Sequence, residues 1–381
     1  MTGIIDLDAN ATTSLLPQVR DAILQALDYV QGNPASDTRL GAAGRKVIEN
    51  ARRDVSALIQ ADHEEIVFTS GATEAINLGI RGTISALGLK RCHVITTEVE
   101  HPAILRTVEH LHDTRRIDVT CLVPDRHGRV TAQQVTNALR PTTVLVAAIH
   151  GNNEIGSLNP IREIGAALRP HSIRFLVDAS QTLAYCPPSV RDDHVDVLIM
   201  SAHKMHGPKG VGAIYVRRDL PLKPIMHGGG QERGLRPGTE NTAMIAGFGT
   251  ACRISRRDAP RRCKSVGQLR DAFLAAIQEV HPDVRLNGHP TLRLPNNLSL
   301  TIPGVESYKL QKRLESRLAF SRGSACSSGS GVPSHVLKAI GLVDPDLHWT
   351  IRIGLSCLTT SAEIDTAASL LNQTIRLLRG R

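Results

Sequence analysis

The chain of 381 residues is long enough to bury a large core and to form more than one domain. Hydrophobic residues make up 41% of it, yet no stretch approaches the roughly 20 consecutive apolar residues that cross a bilayer, so we expect no membrane insertion. The formal charge of +9 would suit an acidic partner, but only 3% of residues are aromatic, so direct nucleic-acid binding is not expected.

The first fifteen residues include Asp6 and Asp8 and lack the basic start and apolar centre of a signal peptide. This predicts a cytoplasmic protein. The seven cysteines are scattered and contain no C-x-x-C pair. Neither a disulfide framework nor a metal site is therefore predicted.

Short apolar runs alternate with amphipathic stretches, which is typical of helices packed on a mostly parallel sheet. The predicted strands cover residues 65–69, 93–97, 144–149, 173–177, 195–200 and 211–216. Almost every run ends in polar residues, and ligands of open α/β sheets collect beyond the carboxyl ends of the strands. We therefore predict an α/β fold with one site assembled from several loops. The predicted division is a large domain over 14–250 and a smaller one formed by 1–13 and 251–381.

The first strand runs into residues 69–74 (TSGATE), which are typical of a tight turn followed by the amino terminus of a helix. Free backbone N–H groups at such a terminus favour a phosphate group. The same pattern also suits an ordinary N-cap, with serine or threonine placed before glutamate. No G-x-G-x-x-G or P-loop pattern follows a strand, so a nucleotide-binding fingerprint is not found.

The next two strands lead to polar side chains with two interpretations each. His101 could lie on a cofactor ring and move protons, although most lone histidines are structural or exposed. Asn152 and Asn153 place amide groups in a turn, where asparagine usually serves the backbone.

Two polar residues anchored at strand ends indicate a cofactor. Asp178 follows the apolar run 173–177, with Gln181 just beyond it, and Lys204 follows the run 195–200. Pyridoxal phosphate needs an amine for its Schiff base and a carboxylate that keeps its pyridine nitrogen protonated. This pair of residues suggests a pyridoxal phosphate enzyme.

Two further candidates lie nearer the carboxyl end. Cys326 sits among the small residues of 321–331, where nothing nearby could bury it, so we expect an exposed thiol on a mobile loop. Arg352 is a charged residue within the apolar run 349–354. Either a substrate carboxylate or a structural ion pair would neutralise it.

Short strings along nearly the whole chain resemble those of cysteine desulfurases of the NifS/IscS type, which are class V aminotransferase-like enzymes. The strings occur in family order and spacing at residues 8–13, 32–36, 68–74, 100–102, 152–154, 178–181, 201–204, 228–232, 323–326 and 351–352. The resemblance implies fold type I of the pyridoxal-phosphate-dependent transferases. It also implies conversion of L-cysteine to L-alanine, with the sulfur carried on Cys326 as a persulfide for an acceptor protein.

The resemblance also implies the roles of single residues. Lys204 would form the Schiff base, His101 would stack on the ring and relay protons, and Cys326 would attack the substrate sulfur. Arg352, with Asn153, would bind the substrate.

The implied cofactor site includes a residue from the second subunit of a homodimer, which would be Thr239. Asp178 would partner the pyridine nitrogen, and Gln181 and Asn153 would surround the ring hydroxyl. The full implied set of cofactor-binding residues is Ala72, Thr73, Asn153, Asp178, Gln181, Ser201, His203, Lys204 and Thr239, of which Thr73, Ser201, His203 and Thr239 would hold the phosphate.

Arg322, Pro237 and the pair Ser356-Cys357 depart from the family pattern. The chain also ends at Arg381 without the long tail with which iron–sulfur-assembly members meet a scaffold. Together with the basic surface, this favours DNA phosphorothioation or tRNA thiolation over general iron–sulfur cluster assembly. Two alternatives stay open, a selenocysteine lyase or other class V pyridoxal enzyme, and a non-catalytic nucleic-acid-binding adaptor.

Overall fold

The computed structural model describes residues 3–323 and 333–380, so Cys326 lies outside the described residues. In chain order the helices of the described part are α1 (Pro17–Tyr29), α2 (Arg39–Leu58), α3 (Ala72–Leu87), α4 (Pro102–Asp113), α5 (Ala132–Asn137), α6 (Ile161–Leu168), α7 (Thr242–Val280), α8 (Ser307–Leu314), α9 (His335–Ala339) and α10 (Ser361–Leu378). The strands of the same part are β1 (Ile5–Asp6), β2 (Ile66–Thr69), β3 (Cys92–Thr97), β4 (Ile117–Leu122), β5 (Thr143–Ile149), β6 (Arg174–Asp178), β7 (Val197–Ser201), β8 (Gly212–Val216), β9 (Arg285–Asn287), β10 (Asn297–Thr301), β11 (Leu318–Ala319), β12 (Ser321–Arg322) and β13 (Thr350–Gly354). Within these residues, no helix combines the length and the apolar character needed to cross a membrane.

The largest sheet of the described residues has seven strands in the order β2-β8-β7-β6-β5-β3-β4. Neighbouring strands from β7 to β4 run parallel, whereas β8 is antiparallel to both β7 and β2. All the strands predicted from the sequence are present, and the predicted mainly parallel sheet is confirmed. The sequence pattern does not reveal β4, because this edge strand is only partly buried and forms no continuous apolar run.

Helices cover both faces of this sheet. In β6, Phe175 and Val177 belong to the core on one face, whereas Leu176 belongs to the core on the other. Helices α2, α6 and α7 contribute to the first core, and α3 and α4 contribute to the second. Strands that are buried on both faces read as continuous apolar runs, which is why the sequence reveals β6 and β7.

Two smaller sheets are formed mainly by the last third of the chain. One has the order β12-β13-β10-β9, and its neighbouring strands are antiparallel. The other pairs β1 with β11 in parallel, which ties the amino-terminal strand to the residues before Cys326. Helix α7 runs through residue 250 without a break, so the division into domains at that position stays a prediction.

Several of the polar residues predicted to form a site lie at one edge of the large sheet. Strand β6 ends at Asp178 and β7 ends at Ser201, both at the carboxyl edge of the parallel strands. Because β8 is antiparallel, its first residue, Gly212, lies at the same edge. A Cβ on Gly212 would lie 2.8 Å from Cα of Gly71, so glycine is what lets the turn before α3 approach this closely.

A buried ion pair holds the segment that leads from β8 to α7. Arg52 of α2 donates two hydrogen bonds of 2.8 Å to the carboxylate of Glu232, and the two side chains are 7% and 1% exposed. The same carboxylate accepts the N–H of Phe68 at 2.7 Å. Glu232 and Arg233 have φ angles of 47° and 57°, a left-handed conformation that is uncommon outside glycine. The ion pair therefore stabilises a strained turn on the path to Thr239.

Glu232→Ala is expected to lower the free energy of unfolding by about 3–5 kcal/mol. The buried guanidinium of Arg52 loses two hydrogen bonds and keeps only the partly exposed Glu49 as an ion-pair partner, and the buried N–H of Phe68 loses its acceptor. Denaturant unfolding followed by circular dichroism would measure the change. The matched control, Glu109→Ala, breaks an ion pair whose side chains are 78% and 53% exposed. It should change the free energy by less than about 1 kcal/mol. Equal effects of the two substitutions would contradict the prediction.

Candidate active site

Lys204 lies in the 3-10 turn that directly follows β7. Its Nζ donates hydrogen bonds of 2.7 Å to the backbone carbonyls of Asn10 and Ala11. Burial, and next the charge of Arg352, lower the pKa of this amine to about 8. Near neutral pH a useful fraction of the amine is therefore unprotonated, which is its nucleophilic form.

Asp178, the last residue of β6, is only 3% exposed. Its Oδ1 accepts the N–H of Ser180 at 2.9 Å. Burial lowers the pKa of both His101 and Lys204, and the negative charge of Asp178 opposes both shifts. The carboxylate, the imidazole and the amine are therefore close enough to act on one another's charge.

His101 is the N-cap of α4, and its Nδ1 accepts the N–H of Ala103 at 3.1 Å. Because a backbone N–H only donates, this contact requires an unprotonated Nδ1 and leaves Nε2 as the nitrogen that exchanges a proton. The neighbouring Glu100 is fully buried, and burial raises the pKa of its carboxyl to about 8. The capping contact thus sets both the orientation and the tautomer of the imidazole.

The segment after β1 closes one side of the site, and sequence reasoning assigns its residues no role. Gln181 donates from Nε2 to the carbonyl of Asn10 at 2.9 Å, and Asn10 returns a hydrogen bond of 3.3 Å. His203 and Thr12 are joined at 3.1 Å, and the hydroxyl of Thr13 donates to the carbonyl of His203 at 3.0 Å. In the sequence, only the family-like string at residues 8–13 indicates that this segment belongs to the site. Local sequence does not reveal contacts between residues so far apart in the chain.

The amino terminus of α3 has no side-chain cap among the described residues. Its N-cap residue, Gly71, has no side chain to accept a hydrogen bond, and the N–H groups of Ala72 and Thr73 have no acceptor in the part of the chain that the structure describes. Ser201 ends β7 at the same sheet edge. His203 follows it, and burial lowers the pKa of its imidazole to about 4, so this ring is neutral at pH 7. Free N–H groups and hydroxyl groups of this kind suit a phosphate.

Arg352, on β13, makes the structural ion pair that the sequence left open. Its Nη2 donates to Asp8 and to the hydroxyl of Ser321, both at 2.9 Å. Its Nη1 reaches the carbonyl of Asn153 at 3.3 Å. Its buried Nε has no partner among the described residues. The guanidinium is therefore oriented by protein contacts and keeps an N–H for another ligand.

Two predicted site residues are not brought to this edge by the described structure. Thr239 is exposed in the loop before α7 and makes no hydrogen bond to the other predicted site residues that the structure describes. Cys326 lies outside the described residues. The remaining predicted residues occupy the carboxyl edge of the sheet or, as Arg352 does, contact the loops beside it.

The groups present fit pyridoxal phosphate. Lys204 supplies an amine with a lowered pKa, and Asp178 supplies a buried carboxylate for which a protonated pyridine nitrogen would be a partner. The hydroxyl of Ser180, next to Asp178, is buried and has no partner among the described residues. The amino terminus of α3 offers the phosphate its free N–H groups.

The chain is similar to known proteins over nearly its full length. The family model described as aminotransferase class-V matches residues 5–366. A protein named cysteine desulfurase IscS from Dictyoglomus turgidum is 39% identical over 374 residues, which cover 98% of this chain and 95% of that protein. A solved structure named NIFS-like protein has a TM-score of 0.92 at 30% identity, covering 98% of this chain and 100% of that one. The crystal structure of DndA from Streptomyces lividans has a TM-score of 0.77 at 34% identity, with 91% and 98% covered.

Proposed function

This chain belongs to the aminotransferase class-V family, and from that premise we propose the roles of the site residues and the route of the sulfur. It has fold type I of the pyridoxal-phosphate-dependent transferases and is a cysteine desulfurase that depends on this cofactor. The reaction converts L-cysteine to L-alanine and transfers the sulfur. The observation that carries the proposed roles is the half-buried amine of Lys204, with a pKa of about 8, near the buried carboxylate of Asp178.

When bound, pyridoxal phosphate supplies an electron-poor ring that draws electrons from the substrate. In the proposed site Lys204 would bind its aldehyde carbon and Asp178 would partner its pyridine nitrogen. Gln181 and Asn153 would contact the ring hydroxyl. The phosphate would be held by the first turn of α3, with Ala72 and Thr73, by Ser201 and His203, and by Thr239 of a second subunit.

Two groups move protons in this proposal. Burial lowers the pKa of the Lys204 amine to about 8, so a fraction of it is unprotonated near neutral pH and can accept a proton. The Nε2 atom of His101 exchanges a second proton, because Nδ1 is held by the N–H of Ala103. Burial lowers the pKa of His101 and keeps the ring neutral, so it can act as a base before it acts as an acid.

Arg352 is proposed to bind the carboxylate of L-cysteine, with Asn153 beside it. Asp8 and Ser321 hold its Nη2, which fixes the plane of the guanidinium. Nε is buried and unpartnered among the described residues, so the guanidinium still has an N–H without an acceptor. A guanidinium with a fixed plane selects a carboxylate by geometry as well as by charge.

Arg352→Lys is expected to raise the KM for L-cysteine by about 10- to 100-fold, because hydrogen bonds to charged groups contribute about 1.5–3 kcal/mol. Lysine keeps the charge but lacks the planar fork that binds a carboxylate. The measurement is alanine release at varied L-cysteine concentration. The control, Arg285→Lys, alters an arginine on β9 that pairs with Asp346 at the surface. An unchanged KM in Arg352→Lys would exclude this role.

Cys326 is proposed to take the sulfur as a persulfide and to deliver it to an acceptor protein. Persulfides are reversible caps, so a second thiol can collect the outer sulfur. Among the three pathways predicted from the sequence, the likeness to DndA favours DNA phosphorothioation. Other relatives are named IscS, which supports iron–sulfur cluster assembly as a second candidate pathway for the sulfur. tRNA thiolation is the third candidate.

A homodimer and a cytoplasmic location complete the proposal. The exposed position of Thr239 suits a residue that serves the site of a second subunit. No observation on the described residues favours a selenocysteine lyase. Membership of an enzyme family argues against the other alternative, a non-catalytic nucleic-acid-binding adaptor.

Release of alanine and sulfide from L-cysteine by the purified protein, with a reductant, tests the proposal directly. The absorbance of the bound cofactor is recorded in the same samples. We expect equal amounts of the two products and a cofactor spectrum. A protein that holds the cofactor but releases neither product would refute the proposed reaction.

A further inference from the structure

A second cysteine contacts a histidine close to the site. Cys357 lies between β13 and α10, and its Sγ is 3.3 Å from Nε2 of His206. The Nδ1 of His206 is 2.9 Å from the carbonyl of Ser14. Because a carbonyl only accepts, Nδ1 carries the proton and Nε2 presents its lone pair to the thiol. Cys357, His206 and the carbonyl of Ser14 thus supply a thiol, a base and a group that orients the base, which is the arrangement that activates a nucleophile.

Both members of this pair are neutral at rest. Burial lowers the pKa of His206 to about 4, so its imidazole can accept a proton at neutral pH. Burial raises the pKa of Cys357, and the charge of Arg262 opposes that shift. The thiol therefore keeps its proton until an electrophile arrives, and His206 can remove the proton during the attack.

Two buried polar groups beside Cys357 are without partners. Nη1 of Arg262 and the hydroxyl of Tyr185 make no hydrogen bond to any residue that the structure describes. The two residues are 5% and 4% exposed. Cys357 packs against the core that contains Tyr185. Burial raises the pKa of Tyr185, and the charges of Cys357 and Arg262 also act on it, so the three side chains lie in one region of the fold. A buried guanidinium with a free N–H calls for an anion, and Asp258, at 4.0 Å, is too distant for a hydrogen bond.

The geometry points to Cys357 as a second acceptor of sulfane sulfur, activated by His206, with Arg262 and Tyr185 holding the anionic outer sulfur of the resulting persulfide. The Sγ of Cys357 attacks the outer sulfur of a donor R–S–SH while His206 takes the thiol proton. The donor S–S bond breaks, and the leaving R–S⁻ receives that proton. The products are R–SH and a Cys357 persulfide, so no external oxidant is needed. The natural donor, a persulfide made from L-cysteine, rests on the proposed function.

The first test uses holoenzyme carrying Cys326→Ser and glutathione persulfide as the probe. Samples are quenched with iodoacetamide at timed intervals, and the sulfur gained by each cysteine peptide is measured by mass spectrometry. We expect the Cys357 peptide to gain sulfur faster than the peptide of Cys121, which is exposed on β4. A Cys357 peptide that reacts no faster than the Cys121 peptide would overturn the proposal.

A second variant separates a base from a merely structural contact. His206→Gln in the same background is expected to slow sulfur gain at Cys357 by at least about 10²-fold, the lower end of general-base effects. The rate at Cys121 should not change. The matched control is His281→Gln, because His281 is also buried but its Nε2 contacts the carbonyl of Asn372. An unchanged rate at Cys357 in His206→Gln would exclude His206 as the base.

These measurements do not depend on turnover. The sulfur comes from glutathione persulfide, so a result for Cys357 is obtained whether or not the wild type releases alanine from L-cysteine. Failure at Cys357 with normal alanine release would remove the second acceptor and leave the proposed function intact. If His206→Gln does not fold, as judged by its cofactor absorbance, the rates of sulfur gain at Cys357 and Cys121 still show whether Cys357 is a preferred acceptor.

Discussion

Alanine release is expected to fall by at least about 10⁴-fold in Lys204→Ala, the upper end of what one acid–base group contributes. In the proposed mechanism, the substitution removes both the amine that would bind the cofactor's aldehyde carbon and a group that would move a proton. It also removes the two hydrogen bonds that the carbonyls of Asn10 and Ala11 accept. We expect the variant to lose cofactor on dialysis, since only non-covalent contacts hold it.

The measurements are initial rates of alanine release and the cofactor absorbance before and after dialysis. Lys90→Ala serves as the matched control, because Lys90 is exposed at the surface. It should behave as the wild type does in both assays. Alanine release by Lys204→Ala at the wild-type rate would show that another amine carries the reaction.

Cys326→Ser is expected to keep the cofactor and to lose sulfur transfer, with sulfide and alanine release lower by at least about 10⁴-fold, as when a catalytic nucleophile is removed elsewhere. The hydroxyl of serine stays protonated at neutral pH and is a poor nucleophile towards sulfur. Binding of cofactor and substrate depends on Lys204, Asp178 and Arg352 in this proposal, so neither should change.

Wild type and variant are compared side by side for both products and for cofactor absorbance. Cys121→Ser is the control, and it should release alanine from L-cysteine as the wild type does. Product release by Cys326→Ser at the wild-type rate would mean that Cys326 is not the nucleophile. Loss of the cofactor spectrum in the variant would instead indicate a structural defect.

Much of the site could be predicted from the sequence because its residues follow buried strands. Asp178 and Lys204 each come after an apolar run, and parallel strands end at a common edge of the sheet. Their convergence there was therefore predictable without knowing the order of the strands. The carboxyl edge indeed carries both residues, together with the uncapped terminus of α3.

Contacts between distant segments were not predictable. The sequence around Asn10 does not reveal that its carbonyl accepts from Lys204 and its side chain from Asn297. The pairing of Asp8 with Arg352 depends on the bridge that aligns Asp8 with Gly354 at the end of β13. Such pairs are set by how the sheets and loops assemble, which no local pattern records.

The sequence by itself determined the elements and the chemistry, because burial on both sheet faces produces apolar runs and because an amine and a carboxylate at strand ends suit one kind of cofactor. Only the tertiary structure decided the electrostatics. Burial lowers the pKa of Lys204 to about 8, and packing places His206 against Cys357. Both effects depend on the removal of water and on neighbours distant in sequence, so they exist only once the chain has folded.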